Sequence, residues 1–208
     1  MKNKFFKLFL FFFFINCNHL YADSFCFDVK NIIIVDNGNL FYANSGKALS
    51  SSDDFEIVAE KFKYNKKKDF LEASNGDAFI KNQNLKIKFN KIKLTNQNNI
   101  ITATNGIEIN DLKKSLNIQG EEITFDRENN IITATNGIEI NDLKKSLNIQ
   151  GEEITFDREN NIITATNGIE INDLKKSLNI QGEEITFDRE NNIITATNGI
   201  EINDLKKS

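Results

Sequence analysis

The sequence predicts an all-β fold, a repetitive antiparallel β-jellyroll or β-taco built from two-strand units of 31 residues. Three observations predict it. The stretch ITATNGIEINDLKKSLNIQGEEITFDRENN begins at Ile101, recurs at Ile132 and Ile163, and appears shortened at Ile194. Within each copy apolar and polar residues alternate, the period of a strand with one dry and one wet face. Beyond the first residues no helical period appears.

The repeat also reaches back into sequence that has diverged. Ala-x-x-Gly cores begin at Ala43, Ala73, Ala103, Ala134, Ala165 and Ala196, at spacings of 30, 30, 31, 31 and 31 residues. The second halves align as well: IVAEKFKY from Ile57, LKIKFNKIKL from Leu85 and LNIQGEEITF from Leu116. Perfect identity from Asn98 onward indicates a recent tandem expansion or a duplication introduced in sequence assembly.

In order along the chain, Lys2, Lys4 and Lys7 precede an apolar run from Leu8 to Ile15 and a segment ending Leu20-Tyr21-Ala22. This reads as a secretory signal peptide over residues 1–22, cut before Asp23. A lipoprotein signal using Cys17 and an uncleaved anchor are the competing readings. Residues 23–40 hold a β-branched strand, Val29 to Val35, and a turn at Asp36-Asn37-Gly38-Asn39. Residues 41–208 form the β-repeat domain. Every complete copy continues with Leu where the chain stops at Ser208, so a longer parent protein is expected.

Inside one unit, parity places Ile101, Ala103, Ile107 and Ile109 on one face of the first strand, with Thr102, Thr104, Glu108 and Asn110 on the other. The second strand turns Leu116, Ile118 and Gly120 inward, then changes parity so that Ile123 and Phe125 face the core. A bulge or bend is expected at Gly120-Glu121-Glu122. The charged segments Asn110 to Lys114 and Asp126 to Asn130 read as turns. The equivalents in the next copy are Ile132, Ile138, Ile140, Leu147, Ile149, Ile154 and Phe156. Two sheets enclosing an apolar interior follow, lined mostly by Ile, Leu and Ala, which leaves room for a channel. Parity alone does not distinguish an open interior from a filled one.

Charge and composition exclude several functions. A net charge of −4 argues against a nucleic-acid surface. Removal of residues 1–22 takes away His19 and Cys17, so no Ser/His or Cys/His catalytic pair and no histidine metal site can be assembled. Cys26 then reads as a disulfide candidate toward another chain or a segment not present, or as a small buried thiol. Glu121, Glu122 and Asp126 recur in each copy, which suits charged strand edges better than a catalytic pair. Asp126 to Asn130 spaces oxygen ligands as a calcium loop would, but Ile131 and Gly137 stand where the EF-hand needs Gly and Glu. Neither catalytic residues, nor a metal, nor a cofactor are expected. The glycine of each Ala-x-x-Gly core permits a bend or close strand approach.

Units reading I-x-G/A-E-x-I/F-x-F/Y, a turn, then A-x-N-G-I-x-I, resemble the OstA-like repeat of the lipopolysaccharide-transport proteins LptA and LptD. Ala59-Glu60-Lys61-Phe62-Lys63-Tyr64 followed by Ala73-Ser74-Asn75-Gly76 is the clearest match. The resemblance covers most of residues 41–208. It implies a non-enzymatic periplasmic β-jellyroll whose inward residues, the fifteen from Ile101 to Phe156 named above, line a groove for the acyl chains of lipopolysaccharide. It also implies end-to-end strand stacking with other Lpt components, with a homo-oligomer as one form. LptD-like members carry a cysteine near the mature N-terminus, as Cys26 does here, which favours that branch and an attachment to the outer membrane through a further barrel. A secreted structural or adhesin-type repeat protein is the alternative.

Overall fold

A computed structural model describes residues 25–50, 54–95 and 99–205; the expected signal peptide and Cys17 lie outside them. The described residues form one 13-stranded antiparallel sheet in which the first twelve strands pair in sequence order and the thirteenth pairs with the eleventh. The strands are β1 Phe25–Val35, β2 Leu40–Ser50, β3 Phe55–Asn65, β4 Phe70–Ile80, β5 Leu85–Thr95, β6 Ile100–Asp111 and β7 Leu116–Asp126. They continue with β8 Ile131–Asp142, β9 Leu147–Asp157, β10 Ile162–Asp173, β11 Leu178–Asp188, β12 Ile193–Thr197 and β13 Glu201–Asp204. The last two both pair with β11.

One face of this sheet is buried although no other layer covers it among the described residues. Phe55, Ile57, Ile92, Leu94, Ile140 and Ile171 are all fully enclosed. The sheet must therefore cover itself, each strand bending at its middle so that its two halves oppose each other. Two layers enclosing an apolar interior are present as expected, but they are halves of one continuous sheet rather than two sheets.

The bend is written into every strand. On β3, Phe55, Ile57 and Ala59 face inward and so do Phe62 and Tyr64, with Glu60 and Lys61 both exposed between the two sets. That change of parity repeats on β5, β7 and β9. The facing strands bend by two different devices. On β2 and β4 the backbones approach closely: a Cβ on Gly46 would lie 2.1 Å from the carbonyl oxygen of Asp28, and one on Gly76 2.0 Å from that of Val58. On β6, Asn105 and Gly106 both take left-handed conformations, φ 69° and 76°, and stand together opposite Glu121. The bend expected at Gly120 to Glu122 is thus shared with a bulge on the neighbouring strand, which supplies the extra residue that turns a 30-residue unit into a 31-residue one. Where Gly76 opposes Ala59 and Phe89, Ile107 opposes Gly120, so one partner at each bend stays small.

The outer face carries polar ladders. Asn110, Asn117, Asn141, Asn148, Asn172, Asn179 and Asn203 stand in register across seven strands. Asn117 donates to Glu108 at 2.8 Å and to Asn110 at 2.9 Å, and the next copies repeat the arrangement. Asn110 also donates to Glu108, at 3.0 Å, and the two donors lower the pKa of Glu108, Asn110 being the larger cause and Asn117 the second. A shift of one residue would lose the whole set, so the ladder reinforces the register that the buried face already demands.

Candidate functional site

The interior is the feature that all units build together. The fifteen residues Ile101, Ala103, Ile107, Ile109, Leu116, Ile118, Ile123, Phe125, Ile132, Ile138, Ile140, Leu147, Ile149, Ile154 and Phe156 all point into it, none more than 6% exposed. They join one continuous cluster that runs from Phe25 to Phe187. In the repeats this lining is aliphatic with one Phe per unit. At the N-terminal end it is aromatic: Phe27 lies 5.8 Å from Phe62 and 6.2 Å from Phe41, and Phe25 meets Tyr64 edge-on at 5.6 Å, measured between ring centroids. This aromatic plug fills that end with large rigid side chains.

Two rows of turns border the interior. Turns leaving odd-numbered strands form a first rim, and turns leaving even-numbered strands a second. Along the first rim Arg127 donates its backbone N–H to the Asn99 carbonyl at 2.8 Å, Arg158 to Asn130 at 3.1 Å and Arg189 to Asn161 at 3.2 Å. Along the second, Leu112 donates to Asn84 at 3.1 Å and Leu143 to Ser115 at 3.0 Å, and Leu174 and Leu205 continue the series. Each turn is locked internally as well. Asp126 accepts from the backbone and side chain of Asn129, which holds its carboxyl below the usual aspartate range, and Asp157 and Asp188 do the same.

The rims meet each other through a ladder of ion pairs. Arg127 donates to Asp54 at 2.7 Å, Arg158 to Asp111 at 2.8 Å and Arg189 to Asp142 at 2.7 Å. Each guanidinium also lies over an interior ring, 5.7 Å from Phe55, 5.6 Å from Phe125 and 5.8 Å from Phe156. Arg158 reaches further to Gln83 and Asn130, and Arg189 to the Lys114 carbonyl and Asn161. The two later rungs are sealed, their Arg side chains 3% and their Asp side chains 0% exposed. The first rung is wetter, at 14% and 19%. Together the rungs close a lateral seam over the apolar interior.

Parity reasoning placed the interior residues but treated the turn charges as solvated, and so missed the seam. A usable signal was present: the chain has only three arginines, Arg127, Arg158 and Arg189, each at the same place in its unit, while every other cation is lysine. Cys26 lies on β1 with its side chain exposed, opposite Leu49. Glu121 and Glu122 sit exposed on the outer bend, remote from Asp126 by the length of half a strand. Among the described residues no three His, Cys, Asp or Glu side chains converge as a metal site would need, and no helix is long and apolar enough to cross a membrane.

A repetitive antiparallel sheet folded on itself around an apolar interior defines the class: a β-jellyroll of the LptA type. Among solved structures it is similar to LptH, the LptA-homologous periplasmic component of the lipopolysaccharide transport device of Pseudomonas aeruginosa. The match has a TM-score of 0.53 and 13% sequence identity, and covers 59% of this chain and 95% of that one. At that identity the likeness establishes the fold. No family model and no curated protein sequence matches the chain.

Proposed function

We propose that the chain is a non-enzymatic carrier in lipopolysaccharide transport, holding the acyl chains of the lipid against its apolar interior within the periplasm. The observation that carries this reading is the combination of a continuous apolar lining with a seam that runs alongside it. Each buried CH₂ of an acyl chain gains about 0.8 kcal/mol on leaving water, so lipid tails provide ample affinity without any covalent step. Because the lining side chains are already buried, the tails take their place by pushing the two layers apart. The likeness to LptH supports the reading through the fold.

The partners on this reading are lipopolysaccharide and other Lpt components or further copies of the chain, joined end to end through sheet edges. β1 supports that role: among the described residues it is an edge strand, and its Ile32, Ile33, Ile34 and Val35 are all exposed. Cys26, on the same strand, is the feature that favours an LptD-like rather than an LptA-like parent.

The test is photo-crosslinking in cells from Ile118 or Ile149, with Thr102 and Glu108 on the outer face as controls. Lipopolysaccharide adducts from the interior positions alone are expected. Adducts from neither set would end the reading.

A further inference from the structure

We infer that the second rim is a membrane-docking edge: it rests on a bilayer with anionic headgroups, inserting a comb of leucines and setting lysines against the phosphates. The inference goes beyond the carrier reading and does not depend on what the interior holds.

The comb is built by the backbone. Leu112, Leu143 and Leu174 stand in the turns that follow β6, β8 and β10, and are 72%, 69% and 69% exposed. Each donates its backbone N–H to the preceding turn of the rim, at 3.1, 3.0 and 3.0 Å. Each turn is also closed on itself, Asp111, Asp142 and Asp173 accepting from the backbone of Lys114, Lys145 and Lys176 at 2.9 Å. Successive leucines are two strands apart, hence about 10 Å. Their places are fixed before any partner arrives, and none of the three belongs to the interior cluster.

The fold does not ask for leucine there. Lys81, after β4, occupies the same place, donating its N–H to the Asp54 carbonyl at 2.8 Å as Leu112 donates to that of Asn84. A charged side chain is accommodated at this position, so leucine in the repeats only adds apolar surface facing water. Duplication copied one leucine, and stacking turned the copies into a line.

Charge selects the occupant. Lys113, Lys144 and Lys175 follow the leucines and are exposed. The carboxylates of the same turns are withdrawn: Asp111 and Asp142 are enclosed and held by Arg158 and Arg189, and Asp173 lies 3.6 Å from Lys176. The first rim has the opposite character, with Glu128, Glu159 and Glu190 exposed. An anionic surface attracts one rim and repels the other, so the protein leans on its second rim and keeps the glutamates in water. Leucines at the boundary of headgroups and acyl chains, with lysines at the phosphates, make an interfacial anchor. Two such rims face to face would instead oppose their lysines, which disfavours a second copy as the occupant.

The chain has no tryptophan, so Leu143→Trp supplies a single local probe. The full chain carrying it is titrated with vesicles of phosphatidylglycerol and phosphatidylethanolamine, with and without brominated acyl chains, and Glu159→Trp is the matching probe on the first rim. A blue shift and bromine quenching are expected from Leu143→Trp and not from Glu159→Trp. Adding Leu112→Ser with Leu174→Ser, or Lys113→Glu with Lys144→Glu, should weaken the titration at least roughly ten-fold, as should vesicles of phosphatidylcholine alone. Circular dichroism checks that every variant keeps its strands, as the lysine at position 81 leads one to expect. No shift from Leu143→Trp, equal shifts from both probes, or a titration indifferent to the serine and glutamate changes would overturn the docking edge. So would a shift that appears without vesicles as the chain is concentrated, which would mark the rim as a contact between copies. The carrier reading is tested separately, by the crosslinks from Ile118 and Ile149.

Discussion

Single residues at the bends set how tightly the sheet can fold, and two glycines separate two physical reasons for being glycine. Gly76 has an ordinary backbone but no room: a Cβ there would sit 2.0 Å from the Val58 carbonyl oxygen, a collision with backbone that a rotamer change cannot relieve. Gly137 has room but an unusual backbone, φ 62° with nothing within 4 Å of a Cβ. Gly76→Ala is therefore expected to cost about 3 kcal/mol, by forcing β3 and β4 apart, and Gly137→Ala about 1 kcal/mol of local strain. Urea unfolding of the two variants checks the order; equal losses would mean that close approach at Gly76 is relieved by backbone movement. The bland appearance of the Ala-x-x-Gly core in sequence hides this difference. ANSGKA and ASNGDA use their glycine for contact, and ATNGIE uses it for conformation.

At the scale of strands and turns, the seam is the element with the largest expected effect. Arg158→Ala leaves the Asp111 carboxylate enclosed without its cation and should cost about 3–5 kcal/mol. Replacing both partners, Arg158→Met with Asp111→Leu, should recover most of that loss, because the pair is then exchanged for apolar contact of similar volume. Thermal melts of the single and double variants decide it, and a double variant as unstable as the single would show that the rung holds by more than charge. Strands and their inward residues were legible in the sequence because alternation is a local property: Ile118 faces inward for the same reason as Leu116. The seam was not, because parity does not say which turns meet, and Arg158 finds Asp111 across 47 residues and Gln83 across 75. The bulge at Asn105 and Gly106 left one trace in the sequence, the step from a 30- to a 31-residue unit, but it preserves the parity of its own strand, so its place shows only in the pairing with Glu121 and its neighbours. Of the candidate site, the lining was readable residue by residue, and its closure was not.

Across the whole molecule, the two ends differ in kind. The N-terminal end is aromatic and its edge strand β1 is long and apolar. The C-terminal end finishes in the short strands β12 and β13, where Ile193, Ile200 and Ile202 are exposed. The rungs do not join turns at the same level. Arg189, between β11 and β12, reaches Asp142, the last residue of β8, and the Lys114 carbonyl, between β6 and β7. The fold is thus lapped like roof tiles, each unit pinned to units laid down well before it. Ordinary solenoids have couplings between nearest neighbours only, and can fray one repeat at a time. A lapped chain has no such free end to peel, so it should lose its structure as a single block. Tyr42 and Tyr64 report only the N-terminal end, whereas the far-ultraviolet circular dichroism reports every strand. The two signals should change at the same urea concentration, and separate transitions would show that the overlap does not bind the units into one cooperative body.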